Sequence, residues 1–264
     1  MDLGLKGKIA VVTGSTAGIG FAIANTLAVE GARVIVNGRT QERVDAAIEK
    51  IRRETSKADV RGVAGDLGSA DGVKAFTKAI SDADILVNNL GIFEPKPFAE
   101  ITDADWQRFF EVNVMSGVRL SRQYLPSMLR KNWGRIIFIS SESGQQIPAE
   151  MVHYGMTKTA QIAVARGIAE TVADTGITAN SVLVGPTASE GVGTFVADLA
   201  KQQGISRAEF EKKFFEGVRP SSLLKRFETP DEVAAVVAFV ASTQSATING
   251  AAVRADGGVV RSIL

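Results

Sequence analysis

Residues 9–20 read Ile9-Ala-Val-Val-Thr13-Gly14-Ser15-Thr16-Ala17-Gly18-Ile19-Gly20. An apolar, β-branched run stops at three glycines, and from Phe21 to Glu30 apolar residues recur at helical spacing. That is a buried strand, a tight turn and a helix in direct succession. Glycines let the backbone of such a turn approach a ligand closely, and the free N–H groups of a helix N-terminus attract negative charge. A dinucleotide pyrophosphate needs this combination, so Gly14, Ser15, Thr16, Gly18, Ile19 and Gly20 are candidate cofactor-binding residues.

The same alternation continues outward. Further strands are predicted at Arg33–Val36, Val60–Ala64, Ile85–Asn88, Arg135–Ser140, Thr178–Leu183 and Ala251–Arg254, and the first covers Lys8–Thr13. Helices are predicted at Glu42–Arg53, Asp71–Ile80, Asp103–Lys131, Val152–Asp174 and Pro230–Ser242. Continuous apolar strands separated by helices indicate an α/β protein: a doubly wound parallel sheet of about seven strands with helices on both faces. One domain spanning residues 1–264 accounts for the whole series. Residues 188–227 break the rhythm, with helical patterns near Gly193–Gln203 and Arg207–Glu216 and no strand. An insertion after a strand end reads as a lid over a substrate.

Composition excludes several classes. The 264 residues are 45% hydrophobic and 22% charged, enough to bury a core. Thirty Lys+Arg against 29 Asp+Glu give no global attraction to nucleic acid or an anionic membrane. With no Cys and a single His, disulfides, thiolate chemistry and His-rich metal sites drop out, and no metal is expected. The longest apolar run, Val233–Ala241, has nine residues, against about 20 for a membrane span. The N-terminus lacks the pattern of a signal peptide, so a soluble cytoplasmic protein is expected.

The second strand should end at the adenosine ribose. It leads into Asn37-Gly38-Arg39, with an arginine where a site for a free 2′-hydroxyl carries an acid. A guanidinium can bind a 2′-phosphate with paired hydrogen bonds, so Arg39 points to NADP(H) in preference to NAD(H). Asp66 and Leu67 close the third strand and are candidates for the adenine. Asn88-Asn89-Leu90-Gly91 closes the fourth.

The strongest local signal is Tyr154-Gly-Met-Thr-Lys158, whose i, i+4 spacing puts both side chains on one helix face. An ammonium beside a phenol is expected to lower the phenol pKa from about 10. Ser141 lies thirteen residues before Tyr154 at a strand end, and its hydroxyl is placed to meet a carbonyl. Ser140 competes with it for that part. His153, adjacent to Tyr154, reads as structural or substrate-lining. Glu142 and Glu150 read as cleft-lining or as solvated loop acids. Trp106 and Trp133 read as packing residues.

Together with Thr13-Gly14, Gly18-Ile19-Gly20, Asp66, Asn88-Asn89-Leu90-Gly91, Asn113 and Gly185-Pro186-Thr187, this set resembles the short-chain dehydrogenase/reductase family over nearly the whole chain. Within it, the chain resembles the 3-oxoacyl-(acyl-carrier-protein) reductase-like branch. The resemblance implies a Rossmann fold and hydride transfer between NAD(P) and a carbonyl or secondary alcohol. It assigns Tyr154 as general acid or base, Ser141 as the donor to the carbonyl oxygen, and Lys158 as the holder of the nicotinamide ribose. It gives Asn113 a water that links Lys158 to solvent. It adds Asn89, Gly91, Gly185, Pro186, Thr187 and Ser189 to the cofactor set, Thr187 and Ser189 toward the carboxamide, and implies a homotetramer.

Departures from the family pattern are Leu90 for an alanine, Val184 for the proline before Gly185, and Ala17 where NADP members often carry a base. Members serving a carrier protein present arginines where this chain has Asn132 and Thr175. The preferred reading is therefore reduction of a small-molecule ketone. A carrier-protein reductase, an NAD-dependent alcohol or sugar dehydrogenase and a non-catalytic NADP-binding scaffold are the alternatives.

Overall fold

The computed structural model describes residues 1–191, 193, 200–201 and 204–263. Seven strands, β1 (Ile9–Val12), β2 (Arg33–Gly38), β3 (Val60–Ala64), β4 (Ile85–Asn88), β5 (Gly134–Ser141), β6 (Ile177–Val184) and β7 (Ala252–Ala255), form one sheet. Its order is β3-β2-β1-β4-β5-β6-β7. Every pairing is parallel. The helices are α1 (Gly18–Val29), α2 (Gln41–Glu54), α3 (Ala70–Ala79), α4 (Asp103–Phe110), α5 (Ser116–Lys131), α6 (Val152–Thr171), α7 (Arg207–Lys213) and α8 (Pro230–Ala241).

Strand alternation divides the core. Ala10, Val12, Val34, Val36, Ile137 and Ile139 face α1, α2 and α8. Their neighbours Val11, Ile35, Ile136 and Phe138 face the other way, toward α3, α5 and α6. Both sheet faces are thus covered, which is why the strands read as unbroken apolar runs. Among the described residues, no helix is long and apolar enough to cross a membrane.

The expected helix over Asp103–Lys131 is two helices joined by a π-helical turn, Glu111–Met115. Asn113 sits inside that turn with its side chain buried: Oδ1 accepts from Ile92 N at 2.7 Å, and Nδ2 donates to Ile92 O and Thr157 Oγ1, each at 3.0 Å. The Arg207–Glu216 pattern is α7 continued by a second π-helical turn, Phe214–Val218. The Gly193–Gln203 pattern lies largely outside the described residues.

Beyond β6, the chain runs as a short parallel bridge between Thr187 and Glu228. Glu228 N donates to Pro186 O at 2.9 Å and Ala188 N to Glu228 O at 2.8 Å. The Glu228 carboxyl is buried with neither oxygen partnered. Burial, reinforced by Asp256, pushes its pKa up from 4.5 to about 8. The unfolded chain therefore loses this proton first, and the stability tied to Glu228 falls as pH rises from about 4.5 to about 8. Glu228→Gln should flatten that decline and melt higher than the parent at about pH 8, as thermal melts across the range would show.

Candidate active site

All the loops carrying candidate residues leave the carboxyl ends of the strands. β1 pairs with β2 on one side and β4 on the other, so the chain changes direction at β1 and opens a crevice there. The Thr13 hydroxyl accepts from Asn89 N and Leu90 N, each at 2.9 Å. The Asn89 amide returns bonds to Thr13 O at 2.9 Å and Gly14 O at 3.1 Å. Gly14 and Gly18 have φ of +59° and +56°, the left-handed region that favours glycine. A Cβ on Gly20 would lie 2.4 Å from Gly14 O, so only glycine lets α1 pack this close to the turn.

The N-cap of α1, Ala17, offers no side-chain hydrogen bond, which leaves the first-turn N–H groups to a groove bordered by Gly18, Ile19, Arg43, Asn89 and Ser189. An open helix N-terminus beside Cβ-free backbone fits a pyrophosphate. Ser15 ties the turn to β2: its hydroxyl donates to Val12 O at 2.6 Å and accepts from Asn37 N at 3.0 Å. A Cβ on Gly38 would strike Thr16 Cγ2 at 2.4 Å, so Thr16 packs on the end of β2. Arg39 is exposed just past that strand. Asp66 is exposed and accepts from Gly68 N at 3.0 Å, while the Leu67 side chain is buried in the core, leaving only its backbone free for a ligand.

On the other side of the crevice, register places Ser141 opposite Val184, the residue before Gly185-Pro186-Thr187. Ser140 and Ser141 diverge. Ser140 donates to Lys158 O at 2.8 Å and holds α6 on the sheet, whereas Ser141 lines the cavity with Tyr154 and Lys158. Lys158 Nζ donates to Ile139 O at 2.8 Å and to Gln161 Oε1 at 3.3 Å. Burial pushes the Lys158 pKa down to about 8, against the pull of Glu142. The expected lowering of Tyr154 is reversed. Burial drives its phenol well above the ordinary value and Glu142 adds to this, outweighing Ser141 and Arg219.

The cavity holds about 480 Å³. It joins Ile19, Asn89, Gly91, Tyr154, Lys158, Gly185, Pro186, Thr187 and Ser189 to an apolar end formed by Phe93, Phe210, Phe214, Val218 and Phe227. The sequence reading left Glu142 open and missed Arg219. Glu142 is buried: Oε2 accepts the Ser141 hydroxyl, the Ser143 hydroxyl at 2.8 Å and Ser143 N at 2.5 Å. Its other oxygen takes Arg219 Nε at 2.8 Å, and Arg219 Nη1 lies 3.3 Å from the half-exposed Glu150. His153 is buried against the Phe109 ring at 3.9 Å between centroids, and neither nitrogen has a partner. Burial lowers its pKa, which keeps it a neutral packing residue.

A family model described as short chain dehydrogenase matches residues 8–200. The chain belongs to the short-chain dehydrogenase/reductase family. It is 48% identical over 263 residues to an uncharacterized oxidoreductase of Bacillus subtilis (strain 168), covering 100% of both chains. It is 32% identical over 263 residues to a 3-oxoacyl-[acyl-carrier-protein] reductase of Aquifex aeolicus (strain VF5), covering 98% of this chain and 100% of the other. Among solved structures, the L-sorbose reductase of Gluconobacter frateurii complexed with NADPH and L-sorbose superposes with a TM-score of 0.94 at 30% identity, covering 100% of each chain.

As a member of this family, the protein is an NAD(P)-dependent oxidoreductase. The cavity region also contains Arg219 and Gln161, which the sequence reading did not single out. No local pattern marks Arg219, since its partners lie 77 and 69 residues away. Gln161 had a signal, because positions 154, 158 and 161 share a helix face. Arg219 neutralises a buried carboxylate, and removing one partner of such a pair is costly while removing both is not. Arg219→Met should destabilise the protein by about 3 kcal/mol, and Arg219→Met with Glu142→Leu by much less, as read from chemical unfolding.

Proposed function

We propose that this protein reduces a neutral small-molecule ketone to a secondary alcohol with NADPH. The observation that carries the reading is the convergence of Ser141, Tyr154 and Lys158 on one cavity that adjoins the uncapped start of α1. The first-turn N–H groups of α1 and the Gly14–Gly20 backbone would hold the pyrophosphate, and Arg39 the 2′-phosphate. Lys158, with two of its three donors already spent on protein, keeps one for the nicotinamide ribose. Thr187 and Ser189 would face the carboxamide. The bound nucleotide supplies the hydride.

Tyr154 would then deliver a proton to the oxygen as negative charge develops there; Ser141, whose single hydroxyl proton is given to Glu142 in this structure, would turn from that carboxylate to donate to the same oxygen. Burial and Glu142 keep the phenol protonated, the form in which it can give a proton to a carbonyl oxygen. The substrate end carries two carboxylates, Glu142 and Glu150, against one guanidinium. That balance favours a neutral, hydroxyl-bearing carbonyl compound and disfavours carboxylates. The related L-sorbose reductase, solved with a neutral sugar, agrees with this choice. The carrier-protein alternative is weaker, because Asn132 and Thr175 stand where members serving a carrier protein present arginines, with Arg130 and Lys131 close by. A lid role for the insertion is supported by its described residues Phe210, Phe214, Val218, Arg219 and Phe227, which line the cavity wall.

Two measurements test the reading. NADPH should bind much more tightly than NADH by nucleotide fluorescence, and Arg39→Ala should remove most of the difference; equal affinities in the parent would reject the 2′-phosphate site. Tyr154→Phe should still bind NADPH while its turnover of a ketose panel falls by about 1,000-fold or more, and near-parental turnover would remove Tyr154 from the role of acid.

A further inference from the structure

One buried side chain beside the reacting groups is absorbed neither by the family pattern nor by the function proposed above. Gln161 lies one helical turn beyond Lys158, at 1% exposure. Both ends of its amide are engaged. Nε2 donates to the main-chain carbonyl of Asn113 at 2.6 Å, and Oε1 accepts from Lys158 Nζ at 3.3 Å. The Asn113 carbonyl belongs to the π-helical turn Glu111–Met115, where the helical hydrogen bonding is shifted. The side chain of Asn113 is fully occupied by Ile92 and Thr157. The amide of Gln161 therefore spans the gap between Lys158 and the π-helical turn.

We propose that Gln161 is a positioning residue that fixes the Lys158 ammonium to the Asn113 carbonyl by a direct side-chain bridge. The bridge sets the direction of the ammonium: with Ile139 O and Gln161 Oε1 taking two donors, the third is left for the cavity. A primary amide does not ionise near neutral pH, so the bridge anchors the ammonium without passing a proton onward. The bridge also ties α6 to the turn between α4 and α5, so the geometry of Lys158 depends on two elements and not on its own helix alone.

The consequence is electrostatic and has a sign. The charged group facing Lys158 is Glu142, from the turn after β5; Tyr154 shares its own helix, and the π-helical turn and the loop after β4 present the uncharged Asn113 and Asn89. Gln161 adds an acceptor that favours the charged amine. Gln161→Leu removes it, and Lys158 should lose its proton at lower pH. Gln161→Glu places a carboxylate there, and Lys158 should hold its proton to higher pH. A purely structural glutamine would not move the two variants in opposite directions.

The inference rests on the reading of Lys158 as a working group, and the experiment separates the two. Lysine-labelled, nucleotide-free protein is titrated by NMR on the Lys158 Cε resonance, assigned by its loss in Lys158→Met. The expected result is a midpoint about half a unit to one unit lower in Gln161→Leu and higher by a similar amount in Gln161→Glu. Thermal melts confirm that both variants are folded; should Gln161→Leu fail to fold, Gln161→Met replaces it with an unbranched apolar chain. Midpoints that coincide in all three proteins, or that move in the same direction, overturn the bridge. Ketone reduction by the same proteins should lose activity on the alkaline side in step with the NMR midpoints. A parent protein with no reductase activity but oppositely shifted midpoints would refute the proposed function and leave the bridge standing.

Discussion

The bonds between Thr13 and Asn89 hold the crevice from which everything functional is reached. β1 and β4 are hydrogen-bonded neighbours, yet their following segments leave toward opposite faces of the sheet. Their ends would splay apart without a tie. Thr13 supplies one by accepting two backbone N–H groups beyond β4, and the Asn89 amide supplies another by returning to the backbone of the β1 turn. These bonds satisfy peptide groups that the parallel ladder has just released, in a place where an unpaired group would be costly. The same constraint demands glycine at position 20, since a side chain there would meet both Gly14 O and the Asn89 amide. The geometry of the glycine turn is thus a by-product of closing the sheet at its switch point.

The substrate end is built on a different principle. No backbone ladder defines it; a chain of charges does. Tyr154, Ser141, Glu142, Arg219 and Glu150 run from the floor of the cavity to its rim, and each neutralises or orients the next. A buried carboxylate beside the reacting phenol is tolerable only because a guanidinium from a segment 77 residues away reaches it. Arg219 thus brings a segment distant in sequence into the electrostatics of the cavity. The contact also ties the protonation of Tyr154 to the position of Arg219, because withdrawing that cation would leave Glu142 to raise the phenol further.

The two ends differ in how far the sequence discloses them, for the same physical reason. Strand and helix existence follows from local periodicity, so all seven strands stand where their apolar runs lie. The glycine turn, Arg39 and the Tyr154–Lys158 pair are short-range patterns whose meaning is fixed by the element that carries them. The π-helical turn at Glu111–Met115 escapes periodicity because it arises from partners far away, in Ile92, Thr157 and Gln161. Arg219 escapes for the same cause. The direction of the Tyr154 shift escapes because a pair of residues suggests attraction to Lys158, whereas the enclosure around them and the buried Glu142 decide the sign.

That asymmetry bears on where this protein differs from its relatives. The nucleotide is the constant part of this family's reaction, and the glycine turn proposed to meet it here is constrained by close approach of backbone. Substrates vary, and the residues meeting them here are side chains delivered by long connections. Gln161 falls between the two. It touches Lys158, which belongs to the constant part, yet it is a side chain with alternatives of similar size. A glutamine there makes a fixed bridge, and the ammonium gains a set direction. In a cavity whose other charges are already paired, such a bridge keeps the field around Tyr154 dependent on groups that the fold itself holds in place.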